Sequence, residues 1–571
     1  MPYRAPLEEY RFLLDHVVDY AQIADTDRFC EASSDVVEAV LSEAGRLCEE
    51  VLDPLQRNGD TDPARLENGI VRTSKGFAEG YQAIANGGWV STSASPEYGG
   101  MGLPLTVTTA VNEMMAGACL ALQLNPLMTQ GQIEALEHHA SAQIKALYLP
   151  KLISGEWCGT MNLTEPQAGS DVGALRSQAK DNGDGTYAVT GQKIYISWGD
   201  NDFSENVCHL VLARLPDGPS GTKGISLFLV PKFIPDAAGQ PGVANSLKVI
   251  SLEHKMGLHG SPTAVMQYEG ARGWLIGEPH DGMRAMFTMM NNARLGVGGQ
   301  GIGAAEGAYQ KALSYAKERR QGRSMLENGS GTIVDHADVR MLLTMRSDIF
   351  AARAIALANA VALDMAGASD DPAWAARAAL LTPISKAFGT ETGVNVADLG
   401  VQVHGGMGFI EETGAAQFSR DVRVTAIYEG TNGIQSMDLV ARKMMDGGKA
   451  AYALLDEIAA HAALANAQLP DLAAPLATAC EALRSSVDWL VEQPDLKDRF
   501  AGSVSFLKAF ARVLGGHYHL KAALVTPDHG PNCKLARFYM NALLGEYIGL
   551  LQQARQGAAD LYAFSFEELT A

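Results

Sequence analysis

A stretch of about 120 residues with β character interrupts an otherwise helical chain of 571 residues. From about residue 156 to 275, short runs of β-branched and apolar residues alternate with turns rich in Gly, Asp and Pro, such as 182–185. The clearest of these runs cover residues 187–190, 207–213 and 224–230. The order of helical, β and helical segments predicts an α+β fold.

The segments on either side of this stretch show helical periodicity, and the length predicts three to four domains at about 150 residues each. After residue 445, Leu483, Val487 and Leu490 follow the i, i+4, i+7 spacing, and the turn at 446–448 is a plausible boundary. The expected domains are therefore an N-terminal helical domain at 1–155, a middle β domain at 156–275, a helical bundle at 276–445 and an additional helical domain at 446–571.

Charge and composition exclude several classes of function. The 65 acidic and 45 basic residues give a net charge of −20, which repels polyanions and argues against nucleic acid as a partner. No run of about 18 to 20 apolar residues predicts a transmembrane segment, and acids at Glu8, Glu9 and Asp15 argue against a signal peptide. The seven scattered cysteines form no C-x-x-C motif, so we expect reduced thiols and a cytoplasmic location.

The histidines do not suggest a metal centre. His517 and His519 lie beside Gly515 and Gly516, with no cysteine or second histidine cluster at metal-binding spacing. A core or surface role is therefore favoured over ligation. The sequence predicts no metal site.

A glycine-rich run at 296–301 matches G-x-G-x-x-G, the pattern of dinucleotide-binding loops. That loop requires a preceding buried strand, whereas the residues before Gly296 do not have a strand pattern. We instead expect these small residues to let two helices approach closely.

Three further runs each allow a structural and a functional interpretation. The polar loop at 163–171, together with the segment at 191–197, either binds a flat ring that forms hydrogen bonds or is an ordinary surface turn. The glycines in 402–409 either expose backbone N–H groups to a diphosphate or end a helix. Apolar neighbours around Glu429 raise the pKa of a carboxyl and suit it to general-base work, unless Glu429 is a solvated surface group.

Taken together, these runs resemble the acyl-CoA dehydrogenase family of flavoproteins. The T-E-P-x-A-G-S-D segment begins at Thr164, and Gln402 of a Q-x-x-G-G-x-G segment stands 27 residues before Glu429 of Y-E-G-T. The resemblance implies a middle β-barrel domain, FAD as cofactor and α,β-dehydrogenation of an acyl-CoA to a trans-2-enoyl-CoA. It assigns Glu429 as the base, flavin N5 as the hydride acceptor and an electron-transfer flavoprotein as the electron acceptor.

The resemblance also assigns cofactor contacts, some of them across subunits. Arg319 takes the role of an arginine that reaches the FAD diphosphate of the neighbouring subunit, and Gln402 and Gly406 match residues that meet the partner's FAD. A homodimer or a dimer of dimers is therefore expected. The implied FAD-binding residues are Met161, Leu163, Thr164, Tyr195, Ser197, Arg319, Gln321, Gln402, Gly405, Gly406 and Thr431.

The acyl-CoA contacts follow in the same way. Ser170 matches a serine beside the pantetheine, and Arg294 ends an N-N-A-R segment where the family has D-x-x-R. The additional helical domain and the opening segment with Tyr3, Pro6 and Phe12 resemble a longer bacterial subgroup that includes 3-(methylthio)propanoyl-CoA dehydrogenases. The implied substrate-binding residues are Ser170, Asn291, Arg294, Tyr428 and Gly430.

Three alternatives stay open. The enzyme could prefer short-, medium- or long-chain fatty acyl-CoA. It could be an acyl-CoA oxidase, a distinction that depends on the access of oxygen. Outside enzymes, the chain could be an inactive scaffold of the same fold, against which the presence of Glu429 argues.

Overall fold

A computed structural model describes residues 2–326 and 329–570 of the chain. The first part is mainly helical, as the periodicity predicts, with one short hairpin. Its helices are α1 (Leu7–His16), α2 (Ala21–Ala24), α3 (Ser34–Leu47), α4 (Asp53–Thr61), α5 (Phe77–Asn86), α6 (Leu105–His139) and α7 (Ala142–Ile153), and its hairpin is β1 (Arg65–Glu67) with β2 (Ile70–Arg72).

The predicted β segment forms one seven-stranded sheet and a separate hairpin. The sheet strands are β3 (Trp157–Asn162), β4 (Gln178–Asp181), β5 (Tyr187–Ser197), β6 (Asn206–Arg214), β7 (Ile225–Pro231), β10 (Leu247–Leu252) and β11 (Thr263–Ile276), and the hairpin is β8 (Phe233–Pro235) with β9 (Pro241–Ala244). Strand β7 pairs with both β6 and β11, which closes the ring β11–β5–β4–β6–β7. The expected β-barrel is confirmed, and its interior is filled by side chains such as Phe228 and Tyr268.

Long helices return after the barrel, with one short hairpin between two of them. They are α8 (Gly282–Glu318), α9 (Val339–Ala368), α10 (Pro372–His404), α11 (Ala415–Val422) and α12 (Asn432–Val440), and the hairpin is β12 (Arg320–Arg323) with β13 (Ser330–Thr332). Helices α6 and α9 are long and apolar enough to cross a membrane by length and composition alone. Their apolar windows are 94% and 89% buried inside the protein, so both are core helices.

The glycine-rich run lies inside α8, where it packs against α10. A Cβ atom on Gly301 would come within 2.4 Å of the Gly389 carbonyl oxygen, closer than any real contact allows. The expectation that these small residues permit close helix packing is confirmed, because they lie inside a helix and leave no room for a side chain at Gly301.

The last helices pack on the rest of the protein rather than standing apart. They are α13 (Lys449–Ala465), α14 (Pro470–Glu492), α15 (Leu496–Ala501), α16 (Ser503–Leu524), α17 (Pro531–Phe538) and α18 (Tyr547–Ala554). Helix α16 contacts α9, α10 and α12. Arg512 of α16 forms a buried ion pair with Asp348 of α9 and donates to Glu546 at 2.7 Å.

A buried arginine on α9 contacts carboxylates of the helices α1, α6 and α8. Arg353 of α9 is fully buried and donates to Glu113 of α6 and Glu306 of α8, each at 2.8 Å. It also pairs with Glu9 of α1, which Arg346 contacts as well. Although burial opposes ionisation, the two guanidinium groups hold the pKa of Glu9 at about 2.

We predict that Arg353→Met strongly destabilises the protein, because it leaves Glu113 and Glu306 buried without their shared cation. Breaking a buried ion pair on one side costs on the order of 3 to 5 kcal/mol. Urea denaturation followed by circular dichroism would show a lower midpoint. Arg340→Met is the matched control, since the Arg340 side chain is 67% exposed and should leave the midpoint nearly unchanged. Equal midpoints for the two variants would contradict the central role of Arg353.

Candidate active site

Glu429 lies in a short connection between the turn Arg423–Ala426 and helix α12. Its backbone is left-handed, with φ of 54°, and Gly430 follows with φ of 81°. Such a conformation costs a non-glycine residue on the order of 1 kcal/mol or more and needs support from its surroundings. The support comes from Gln435, whose Nε2 donates to the carbonyls of Glu429 at 3.3 Å and Gly430 at 3.2 Å. Thr431 caps α12 by accepting from the backbone N–H of Ile434 at 3.2 Å.

Glu429 is half-buried, and one of its two carboxyl oxygens is enclosed by the protein. Its Oε2 atom is buried and has no partner among the described residues. Burial raises the pKa of Glu429 to about 7, and the nearby charges of Arg294 and Lys386 oppose this rise. A carboxyl that titrates near neutrality is suited to accept a proton and release it again. The buried Oε2 atom argues against the interpretation of Glu429 as a solvated surface group.

Buried polar side chains surround this carboxyl. Arg294 of α8 lies 3.9 Å from Asp438 of α12, and its Nε atom has no partner among the described residues. Tyr428 hydrogen-bonds to Gln300, whose Nε2 donates to Gln123 at 2.8 Å. The structure thus brings together Arg294, Tyr428, Glu429 and Gly430, four of the residues singled out in the sequence.

The sequence analysis missed one buried cation beside Glu429. Lys386 of α10 is fully buried, and its Nζ donates to Asn432 at 2.9 Å. Burial lowers the pKa of Lys386 to about 7, although the charge of Glu429 raises it. A lysine in the middle of a long helix carries no signal in one sequence, because only tertiary packing brings it next to the carboxyl.

A second group of the singled-out residues lies on one side of the barrel. The backbone N–H of Ile194 on β5 donates to the Thr164 carbonyl at 2.9 Å, which ties the Thr164 loop to the strand that carries Tyr195 and Ser197. The Tyr195 side chain is 62% exposed and its φ is 60°. Met161 is in β3, and Leu163 follows directly after that strand. These five residues therefore lie on connected elements of the barrel, with the Leu163 side chain buried in the core.

A buried ion pair that the sequence analysis did not single out holds the Thr164 loop in shape. Glu165 accepts from Lys193 Nζ at 2.8 Å and from the backbone N–H groups of Arg176 at 2.7 Å and Ser177 at 3.0 Å. Although burial opposes ionisation, the charge of Lys193 and these hydrogen bonds hold the pKa of Glu165 at about 2. The Lys193 Nζ also donates to the Leu163 carbonyl at 3.0 Å. The loop backbone is thereby fixed from beneath, leaving the Thr164 side chain half-buried.

The remaining predicted residues are exposed. Arg319 and Gln321 follow α8 and hydrogen-bond each other at 2.8 Å. Gln402, Gly405 and Gly406 lie at the exposed C-terminal end of α10, where Gly405 has φ of 60°. Ser170 and Asn291 are also exposed. Within the described part of one chain, the side chains of these residues form no hydrogen bond with the Thr164 loop.

The chemistry of these donors fits a flavin dinucleotide. Thr164 and Ser197 offer hydroxyls beside an exposed aromatic ring, and Arg319 offers a charged fork suited to phosphate. A flavin dinucleotide needs hydrogen bonds to its ring and a positive charge beside its phosphates. The hydroxyls lie on the barrel, and the guanidinium group of Arg319 lies after helix α8.

Comparisons with known proteins agree on one family for most of the chain between residues 35 and 565. Family descriptions of acyl-CoA dehydrogenase match its N-terminal domain at 35–156, its middle domain at 160–271 and its C-terminal domain at 280–445. Residues 454–565 match a domain described as acetyl-CoA dehydrogenase C-terminal like.

Two relatives and one solved structure cover most of the chain. A 3-methylmercaptopropionyl-CoA dehydrogenase from Ruegeria pomeroyi is 46% identical over 89% of this chain and 88% of its own. A butyryl-CoA dehydrogenase from Syntrophomonas wolfei is 33% identical over 90% of this chain and 86% of its own. The structure of Caenorhabditis elegans ACDH-11 in complex with C11-CoA shares the fold, with a TM-score of 0.80, 20% identity and coverage of 94% of this chain and 91% of that one.

We predict that Glu429→Gln stabilises the protein in a pH-dependent way. The folded-state pKa of about 7 exceeds the ordinary value of 4.5, so ionised Glu429 destabilises the fold. This penalty is absent below about pH 4.5, grows between pH 4.5 and 7 and is constant above. The gain in Tm should therefore be small at about pH 5 and largest at about pH 8, where it corresponds to at most about 3 kcal/mol.

The control for this measurement is Glu412→Gln, because Glu412 is exposed. That variant should show the same small change in Tm at both pH values. An equal effect of Glu429→Gln at the two pH values would contradict a raised pKa for Glu429.

Proposed function

The chain belongs to the acyl-CoA dehydrogenase family, and we propose that Glu429 is the base with which it oxidises the Cα–Cβ bond of an acyl-CoA thioester. The product is a trans-2-enoyl-CoA. The observation that carries this assignment is the buried, unpartnered Oε2 of Glu429 with its raised pKa. An inactive scaffold would have no need to keep a carboxyl in this costly state.

The residues around Glu429 prepare it to take the α-proton. Its pKa near neutrality balances the fraction of ionised base against its strength as a base. The left-handed backbone at Glu429 and Gly430, held by Gln435, fixes the direction of the carboxyl. A Cβ atom on Gly430 would lie 2.7 Å from Gln435 Nε2, so a larger residue there would break this support.

The family is FAD-dependent, and FAD when bound supplies the acceptor for the β-hydride. In this chain Thr164, Tyr195 and Ser197, with Met161 and Leu163, would hold the flavin ring from the barrel surface. The diphosphate and adenosine contacts fall to Arg319, Gln321, Gln402, Gly405, Gly406 and Thr431. Because Arg319 and Gln402 lie apart from the barrel surface, the proposal includes a homodimer in which they serve the partner's cofactor.

The acyl-CoA is assigned to the residues next to Glu429 and to two exposed positions on other segments of the chain. Tyr428 and Gly430 flank the base, and Arg294 places a buried positive charge close to it. Ser170 and Asn291 are exposed and would contact the pantetheine and the CoA. The chain length of the acyl group is tested by comparing the kinetics of short and long acyl-CoA substrates.

Electrons would leave through an electron-transfer flavoprotein in the cytoplasm. The location is supported by the cysteines, which are all unpaired, six of them buried and only Cys30 exposed. The competing function is that of an acyl-CoA oxidase, which would produce hydrogen peroxide with substrate under air. Electron transfer to the flavoprotein without peroxide supports the dehydrogenase.

We predict that Glu429→Gln abolishes the chemistry and keeps the flavin. The substitution preserves size but removes the proton acceptor, so the rate of anaerobic flavin bleaching by substrate should fall by about 10⁴-fold or more. Flavin content, measured by absorbance, should stay near one per chain.

Glu134→Gln is the matched control for the base. Glu134 of α6 lies beside Asn292, and burial raises its pKa to about 7 as well. If Glu429 is the base, this variant still bleaches at a rate within about tenfold of the wild type. Rapid bleaching by Glu429→Gln together with loss of bleaching in Glu134→Gln would transfer the role to Glu134.

We predict a short thioether substrate, with 3-(methylthio)propanoyl-CoA preferred over palmitoyl-CoA in kcat/KM. The support is the 46% identity to a 3-methylmercaptopropionyl-CoA dehydrogenase over most of both chains. Pentanoyl-CoA is nearly isosteric, so the two short substrates should differ by at most about 1 to 3 kcal/mol. Steady-state kinetics with electron-transfer flavoprotein would test this, and a preference for palmitoyl-CoA would overturn it.

A further inference from the structure

A cluster of potential metal ligands lies outside the active site, between two helices of the C-terminal segment. Glu457 and His461 are one helical turn apart on α13, and His517 faces them from α16. One ligand atom from each of the three residues lies within 4.8 Å of the other two. The Glu457 Oε1 atom is 3.6 Å from His517 Nε2, and the two imidazole rings stack with centroids 5.0 Å apart.

Three imidazole nitrogens of this cluster are buried without a hydrogen bond to any described residue. His517 is fully buried, and neither of its ring nitrogens has a hydrogen-bond partner among the described residues. The distance of 3.6 Å to Glu457 exceeds that of a hydrogen bond. The Nδ1 atom of His461 is buried and unpartnered too. Since buried polar groups are nearly always satisfied, unpartnered nitrogens on two adjacent rings call for a ligand.

We propose that Glu457, His461 and His517 bind a divalent transition-metal ion, and that zinc is the ion they select. Two imidazoles and one carboxylate form a ligand set typical of zinc, with a solvent molecule as the fourth ligand. Bond lengths of about 2.0 to 2.1 Å place neighbouring tetrahedral ligands about 3.4 Å apart. The Glu457 Oε1 to His517 Nε2 distance of 3.6 Å is close to this spacing, and the ligand atoms of all three residues lie within 4.8 Å of one another.

The groups around the cluster are arranged to orient the carboxylate. Arg377 of α10 contacts Glu457 Oε2 at 2.5 Å and Oε1 at 3.3 Å, which fixes the carboxylate and leaves a lone pair of Oε1 facing His517. Hydrogen bonds of this kind to a ligating carboxylate are a usual feature of metal sites. The other nearby cation, Lys521, is paired with Asp19 at 2.9 Å. The ion would cross-link α13 to α16 and, through Arg377, to the helical core.

The experiment measures zinc binding by the full-length holoenzyme. The protein is stripped with a chelator and titrated with Zn²⁺ while Tm is followed, and with Co²⁺ while its visible ligand-field bands are followed. We expect one zinc ion per chain by elemental analysis, a rise in Tm of at least about 2 °C with saturating zinc and Co²⁺ bands of a four-coordinate site.

Variants separate this site from incidental binding. His461→Gln, at a half-buried position that tolerates substitution, should lower zinc affinity at least about tenfold and remove the rise in Tm. His519→Gln is the matched control, because His519 is a buried histidine of the same helix that hydrogen-bonds the Ser347 carbonyl at 3.1 Å instead of the cluster. It should bind zinc as the wild type does. Absence of zinc binding by the wild type, or unchanged binding by His461→Gln, would overturn the proposal.

Discussion

The architecture depends on one buried cation. Arg353 is surrounded by carboxylates from three other helices, and each of them would be costly to bury alone. By satisfying all of them, Arg353 fixes α9 against α1, α6 and α8. Helix α8 carries Arg294 near its start and packs against α10, which carries Lys386. The positions of Arg294 and Lys386 near Glu429 therefore depend on the packing of this core.

Two buried glutamates show how surroundings decide what a carboxyl does. Glu9 meets two guanidinium groups, and although burial opposes ionisation its pKa falls to about 2, so it serves as a permanent anion of the core. Glu429 accepts no hydrogen bond at Oε2 and has its cations only nearby, so burial prevails and its pKa rises to about 7. Glu9 therefore stabilises the fold, whereas Glu429 is kept as a proton acceptor. The left-handed backbone at Glu429 also lowers the stability of the fold at this position.

The helices after residue 445 are part of the same body. Arg512 links α16 to Asp348 of α9, Arg377 of α10 links to Glu457 of α13, and Lys521 links α16 to Asp19 near the start of the chain. A metal ion at Glu457, His461 and His517 would add a further bond between α13 and α16. The stability of the helical core and that of the terminal helices are therefore expected to be coupled.

The sequence by itself determined the order of helices and strands and the close approach at Gly301, and it singled out Glu429 as the candidate base. Periodicity and local motifs depend on residues that are close together in the chain. It also indicated the loop at Thr164 and the strand with Tyr195, which the structure joins through Ile194. It could not reveal Lys386 beside Glu429, Lys193 beneath Glu165 or His461 beside His517, and from His517 it predicted no metal. Each of these pairs is brought together by packing between distant segments. Burial then sets the charge of each group, and only the tertiary structure decides which groups are buried.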